Sequence, residues 1–177
     1  MVCGNRLPHI FLQEGRMKRV YVNEDVCMGC HLCEIYCQLK QAQSKDLIKA
    51  FKRETPRPIP RLRVEESGVL SLSARCQHCE DAPCVRACLT GALTRDPETR
   101  LVTVDSERCI GCGTCMLVCP LGALRMDTEH KKMVKCDLCQ DEEVPVCVAN
   151  CPNEALLYIE VPDNNNESEK KEKTLIQ

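Results

Sequence analysis

Cys109, Cys112, Cys115 and Cys119 stand at C-x2-C-x2-C-x3-C spacing, and Pro120 follows the last of them. Three thiols two residues apart can wrap one face of a cubane of iron and sulfide. The fourth, one turn further on, points away and completes a neighbouring cluster. Gly111 and Gly113 leave room for the backbone to pass close to the sulfurs and for N–H groups to reach them. Pro120 fixes the backbone where the fourth ligand leaves. The chemistry this predicts is ligation of [4Fe–4S] clusters by cysteine.

Three more groups obey the same grammar. Cys27, Cys30, Cys33 and Cys37 repeat the spacing with Gln38 in place of the proline. Cys76, Cys79, Cys84 and Cys88 widen the middle gap, and Cys136, Cys139, Cys147 and Cys151 widen it further, ahead of Pro152. Every group keeps the opening x2 and the closing x3. Structural zinc pairs two C-x2-C knuckles a dozen or more residues apart, and a third cysteine so soon after the knuckle does not suit that scheme. Of 17 cysteines in 177 residues, only Cys3 falls outside the four groups, and it reads as an unligated thiol.

Composition agrees with this reading. No apolar leader marks residues 1–19 and no run approaches a membrane span, so the chain is expected in the cytoplasm, where thiols stay reduced. Met17 is an alternative start, since a strand opens directly after it. Aromatic residues make up only 3% of the chain, so the apolar core is thin. Four clusters leave about 44 residues each, close to the length below which domains need metal or disulfides. The clusters must therefore supply much of the interior. The formal charge is −2, and four clusters at about −2 each take it to about −10, which argues against a nucleic-acid partner.

The elements that position the cysteines are short. Arg19–Asn23, Leu101–Asp105 and Leu156–Val161 read as strands, and Asp96-Pro-Glu-Thr reads as a turn. Three groups close on a common phrase (Cys88-Leu-Thr-Gly-Ala-Leu, Cys119-Pro-Leu-Gly-Ala-Leu and Cys151-Pro-Asn-Glu-Ala-Leu), the mark of one unit used repeatedly. Between the first two groups, Ser44 is placed to cap a helix over Lys45–Arg53, with Leu47, Ile48 and Phe51 on one face. The prolines after Thr55 end it, and a hairpin is expected around Glu66-Ser-Gly. Residues 38–63 hold eight Lys/Arg against Asp46 and Glu54. This segment suits an acidic partner, a counter-charge for clusters, or plain solvation. His31 and His78 lie beside ligands, either as N–H donors toward a cluster or as polar spacers, and Tyr36 reads as packing. No G-x-G-x-x-G and no nucleophile–base constellation is present, so the chain is expected to carry electrons and not to be an enzyme.

On these groups, and especially on Cys76-Gln-His-Cys79-Glu-Asp-Ala-Pro-Cys84-Val-Arg-Ala-Cys88, the chain resembles the four-cluster electron-transfer subunits of dimethyl sulfoxide reductase, formate dehydrogenase and formate hydrogenlyase. The insert Ser44-Lys-Asp-Leu-Ile-Lys-Ala-Phe with Arg57-Pro-Ile-Pro-Arg61 is similar to the carbon monoxide dehydrogenase-associated iron–sulfur protein. The resemblance implies an α+β fold of two interleaved bacterial ferredoxin-like modules. The outer module covers 18–40 and 131–162, the inner one 76–130, with a helix–hairpin insert at 41–75, an N-terminal extension at 1–17 and a mobile tail at 163–177. It implies four ligand sets: Cys27, Cys30, Cys33 and Cys151; Cys37, Cys136, Cys139 and Cys147; Cys76, Cys79, Cys84 and Cys119; and Cys88, Cys109, Cys112 and Cys115. The absent prolines after Cys37 and Cys88 are departures from the family pattern. The implied function is relay of single electrons in a hetero-oligomer, between a catalytic subunit such as carbon monoxide dehydrogenase and a second redox protein such as a flavin NAD(P)H oxidoreductase. The competing expectation is an iron–sulfur scaffold or assembly subunit of an aldehyde, formate or hydrogenase complex.

Overall fold

The computed structural model describes residues 17–161. Cys3, the N-terminal extension ahead of Met17 and the polar tail after Val161 lie outside those residues. The described chain is a mixed assembly of short helices and small antiparallel ladders, in keeping with a ferredoxin-like fold.

The first and last strands of the described residues meet each other. Strand β1 (Met17–Val22) pairs antiparallel with β8 (Leu156–Val161), from Met17 opposite Val161 to Val22 opposite Leu156. Val20 and Leu156 point inward and are buried. Helix α1 (Leu32–Gln41) packs against α5 (Val146–Ala149), so the first and last cysteine groups are brought side by side. The insert follows α1 as helix α2 (Leu47–Arg53) and a hairpin of β2 (Leu62–Ser67) and β3 (Leu70–Arg75).

The middle of the chain folds locally. Helix α3 (Pro83–Arg86) leads into the hairpin β4 (Leu93–Arg95) and β5 (Val102–Val104). Helix α4 (Thr114–Val118) leads into the hairpin β6 (Arg125–Asp127) and β7 (Lys132–Val134), and α3 packs on α4. Helices of four or five residues cannot persist alone, because nucleation costs more than one turn returns. Tertiary contacts hold them. Two buried clusters of side chains do this, one around Val20, Leu62 and Leu156, the other around Leu93, Val102 and Leu124. Cysteines run through both, and Cys119 packs against each.

Several expectations shift. Asp46, not Ser44, caps α2, its carboxylate accepting the Lys49 N–H at 2.9 Å. Ser44 instead accepts from the Asp46 N–H, one step earlier. Leu47 and Ile48 are exposed and Ala50 is the residue α2 buries, because the helix lies on the surface of the insert. The hairpin is longer than expected and turns at Gly68–Val69, with Gly68 at φ 62°, since a two-residue turn of that hand favours glycine first. The helix in each group starts before its third cysteine, and Cys119 caps the end of α4. Strands β4, β6 and β7 were not foreseen. Among the described residues no helix is long and apolar enough to cross a membrane.

Candidate iron–sulfur sites

Each group opens on the same backbone device. The residue before its second cysteine is left-handed: Gly29 (φ 64°), His78 (φ 49°), Gly111 (φ 68°) and Leu138 (φ 58°). This turn directs the residue's own N–H back at the first sulfur in two groups, His78 to Cys76 at 3.4 Å and Leu138 to Cys136 at 3.5 Å. At Gly111 nothing larger fits, because an added Cβ would stand 2.2 Å from the Lys131 carbonyl oxygen. The third and fourth cysteines are one helical turn apart. On α1 this pair, Cys33 and Cys37, is buried.

The closing phrase repeats in space as well. The N–H of Gly91, Gly122 and Glu154 donates to the carbonyl of Cys88, Cys119 and Cys151 respectively, each at 3.2 Å. The chain then doubles back, so that Leu93 N–H reaches the Cys88 sulfur and Ala123 N–H the Cys119 sulfur, both at 3.4 Å. Arg61 N–H to Cys37 at 3.2 Å and Met133 N–H to Cys109 at 3.5 Å bring two more backbone donors to sulfur. Such donors favour anionic sulfur.

The sulfurs gather from distant parts of the chain. Cys27, Cys30, Cys33 and Cys151 line one cavity. Cys37 of α1 stands within electrostatic reach of Cys136, Cys139 and Cys147. Cys84 faces Cys76 and Cys119. Cys112 faces Cys88, and Cys115 faces Cys109, Cys112 and, across to the neighbouring set, Cys84. All sixteen cysteines of the four groups are free thiols, and only Cys30 and Cys112 are exposed. Among the described residues no three of His, Cys, Asp and Glu are grouped as a single metal ion requires. Burial pushes the Cys37 and Cys147 thiols up to about 12 and those of Cys115 and Cys136 to about 11. The Thr114 hydroxyl holds Cys112 below the usual thiol range. Binding iron at the buried sulfurs therefore displaces protons.

Whether these sites suit a cluster is tested by the polar atoms left over. Three side chains along β3 and the turn after it carry buried donors with no partner: Ser73 Oγ, Arg75 Nε and Nη1, and His78 Nε2. The Ser73 hydroxyl faces the Cys33 sulfur outside hydrogen-bond geometry. The Arg75 charge faces Cys136, Cys147, Cys76 and Cys33. Each orphan costs about 1–3 kcal/mol unless something accepts from it. Cluster sulfides beside these cysteines are acceptors of the right kind, and the residues fit the group.

The two histidines part company. His31 places its ring nitrogens on Glu34 at 2.9 Å and Glu66 at 3.3 Å, and the Glu34 bond raises its pKa. It is a surface tie between α1 and β2. His78 is buried, accepts the Val102 N–H on Nδ1 at 2.9 Å, and is kept neutral by burial, which together with nearby cations pushes it down to about 2. Its proton therefore sits on the unpartnered Nε2. Tyr36 is half-buried on α1. The basic insert spends much of its charge internally: Lys40 pairs with Asp141 at 2.6 Å and with Glu142, Arg61 with Asp137, and Arg63 with Glu65.

Two buried cations escaped the reading of the sequence. Arg75 and Lys135 are 2% and 4% exposed, and each immediately precedes the first cysteine of its group. That shared position was visible. Their burial was not.

Residues 68–161 match the family model of the 4Fe-4S dicluster domain, a span that takes in the second, third and fourth cysteine groups. Over 151 residues the chain is 35% identical to the electron transport protein HydN of Escherichia coli K12, covering 76% of this chain and 83% of that protein. It is 33% identical over 159 residues to an iron-sulfur protein of Rhodospirillum rubrum, covering 80% and 82%. It is 34% identical over 147 residues to the thiosulfate reductase electron transfer subunit PhsB of Salmonella typhi, covering 77% and 72%. Repeated thiol turns, buried donors aimed at sulfur and these likenesses converge: the chain belongs to the 4Fe-4S dicluster family and is an iron–sulfur electron-transfer protein, a carrier of electrons and not a catalyst.

Proposed function

We propose that the chain is the relay subunit of an oxidoreductase complex and holds four [4Fe–4S] clusters on the sixteen cysteines of its four groups. Cys27, Cys30, Cys33 and Cys151 hold the first. Cys37, Cys136, Cys139 and Cys147 hold the second, Cys76, Cys79, Cys84 and Cys119 the third, and Cys88, Cys109, Cys112 and Cys115 the fourth. The observation that carries this reading is the meeting of sulfurs from distant parts of the chain, Cys37 with Cys136, Cys139 and Cys147.

When bound, a cluster with four cysteine ligands accepts and releases one electron with little rearrangement. The residues of the chain supply the insulation, the donors and the order. The β1–β8 ladder and the α1–α5 contact support two interleaved modules, the outer one closed by the chain ends and the inner one built from α3, α4 and their hairpins. Cys119 in both apolar clusters and the approach of Cys115 to Cys84 support a continuous row of four. Exposed Cys30 and Cys112 fall in the first and fourth sets, which makes these the two ends. Met28 beside one and Ile110 beside the other are also exposed, 61% and 63%, so each end offers an apolar rim to a partner. A catalytic subunit meets one end and a second redox protein the other. Carbon monoxide dehydrogenase paired with a flavin NAD(P)H oxidoreductase fits the family resemblance. The name of one relative extends the choice of catalytic partner to a thiosulfate reductase.

The test is iron and acid-labile sulfide on anaerobically purified protein, followed by dithionite reduction with EPR. About sixteen of each per chain, with signals of magnetically coupled reduced clusters, is the expected result. Zinc with little sulfide overturns the reading. Full iron with no reducible signal leaves the scaffold role instead.

A further inference from the structure

Arg75 is 2% exposed, and the groups that act most strongly on its charge are cysteine sulfurs: Cys136 and Cys147 of one set, Cys76 of the next, and Cys33 beyond. Its Nε and Nη1 have no partner. Lys135, 4% exposed, donates to the carbonyls of Val102 and Cys136, the latter at 2.7 Å. Its charge acts on Cys136 and on Cys84. Neither cation is paired with a carboxylate among the described residues. An unpaired buried charge costs several kcal/mol, so the fold keeps two only where an anion answers them. The sulfur sets on either side are the anions within reach.

We propose that Arg75 and Lys135 form a buried cationic bridge between the Cys37 and Cys76 sets and hold the reduction potentials of those two inner sites above those of the exposed ends. The inference rests on the four-cluster reading. Adding an electron to a site already carrying negative charge is opposed by burial, because a low-dielectric surrounding penalises each further charge. A cation in the same dry region offsets that penalty, more strongly than one on the surface. The bridge also sits where two anionic groups would otherwise repel one another across the junction of the modules. Arg75 suits the place because its guanidinium stays charged when buried and its fork presents several donors at fixed angles. His78 adds a neutral donor at the same junction: its left-handed backbone and buried Nε2–H are tolerated beside Cys76 and Cys79. The two ends have no such buried cation among the described residues.

The experiment is an EPR-monitored redox titration of the anaerobic holoprotein and of Arg75→Gln, Arg75→Lys and Arg63→Gln, with iron measured on each sample. Parent iron far from about sixteen per chain refutes the four-cluster reading and, with it, the bridge. With iron complete, Arg75→Gln is expected to lower two of the four one-electron waves, the larger shift being about tenfold in the equilibrium constant, or 59 mV. Arg75→Lys is expected to restore most of it. Arg63→Gln, which removes an exposed charge on the neighbouring strand, is expected to leave all four waves in place. Unmoved potentials in Arg75→Gln overturn the proposal, and so does an equal shift in Arg63→Gln. Should Arg75→Gln lose iron, Arg75→Lys decides. Full iron with waves near the parent's supports a role for the charge, and iron loss there too makes Arg75 a brace and refutes the bridge.

Discussion

The inner and outer halves of this chain assemble the same kind of sulfur sites by opposite means. Residues 76–134 do it locally: each short helix is followed by its own hairpin, and each hairpin turns on an aspartate. Asp96 accepts the N–H groups of Glu98 and Thr99, and Asp127 those of Glu129 and His130. The outer half joins segments more than a hundred residues apart through the β1–β8 ladder, the α1–α5 contact and the Lys40 ion pairs with Asp141 and Glu142. Local closure costs little chain entropy, whereas joining the two ends must be repaid by long-range contacts. The inner half is therefore expected to load and survive on its own terms, and the outer half to depend on its closure.

The largest effect should come from ligand loss. Cys112→Ser is expected to strip iron from the inner half, beginning with the Cys88 set, while two one-electron waves of the outer half persist. Retention of all iron with normal electron transfer sinks the ligand assignment, and loss of all four waves together shows that the halves are not separable. Next come the two apolar centres. Leu156→Ala and Leu124→Ala each empty a buried site, 3% exposed in both cases, at a cost of about 2–5 kcal/mol. Denaturant unfolding of the holoprotein, followed by iron release, should show Leu156→Ala releasing outer iron first and Leu124→Ala inner iron first.

A smaller contrast separates two glycines. Gly111→Ala meets the Lys131 carbonyl, whereas Gly68→Ala meets open space, and both carry a left-handed backbone cost of about 1–2 kcal/mol. Thermal unfolding should place Gly111→Ala well below Gly68→Ala. The smallest effect is expected of Lys40→Met. The Lys40 bond depresses Asp141 below the usual carboxylate range, so this pairing stabilises the fold above the unfolded carboxylate pKa of about 4. It is lost as pH falls through the lower folded value. The difference between Lys40→Met and the parent should therefore be present at neutral pH and vanish in acid. A difference that persists in acid means that Lys40 acts through packing.

Much of this was legible from spacing. The four cysteine groups, the β8 strand to the residue, the Asp96 turn and the insert hairpin all follow from local pattern. The β6–β7 hairpin was missed although Asp127-Thr-Glu-His-Lys131 echoes Asp96-Pro-Glu-Thr-Arg100, with Arg100 and Lys131 both left-handed. Comparing the two groups' tails position by position would have found it. Leu47 and Ile48 misled because helical periodicity shows which residues share a face, and says nothing about whether a neighbour covers it.

The sequence by itself determined the chemistry, since ligand type and spacing are properties of a few consecutive residues, and a thiol turn closes within one group. Only the tertiary structure decided the rest. It decided that Cys37 would face the last group, that Cys30 and Cys112 would be the exposed sulfurs, and that Arg75 and Lys135 would lie buried among sulfurs while Lys40 and Arg61 paired with carboxylates. A cation in a sequence carries no sign of its dielectric surroundings. Those are set by which distant segments pack around it, and the same charge that is nearly idle on the surface becomes a strong local field once water is excluded.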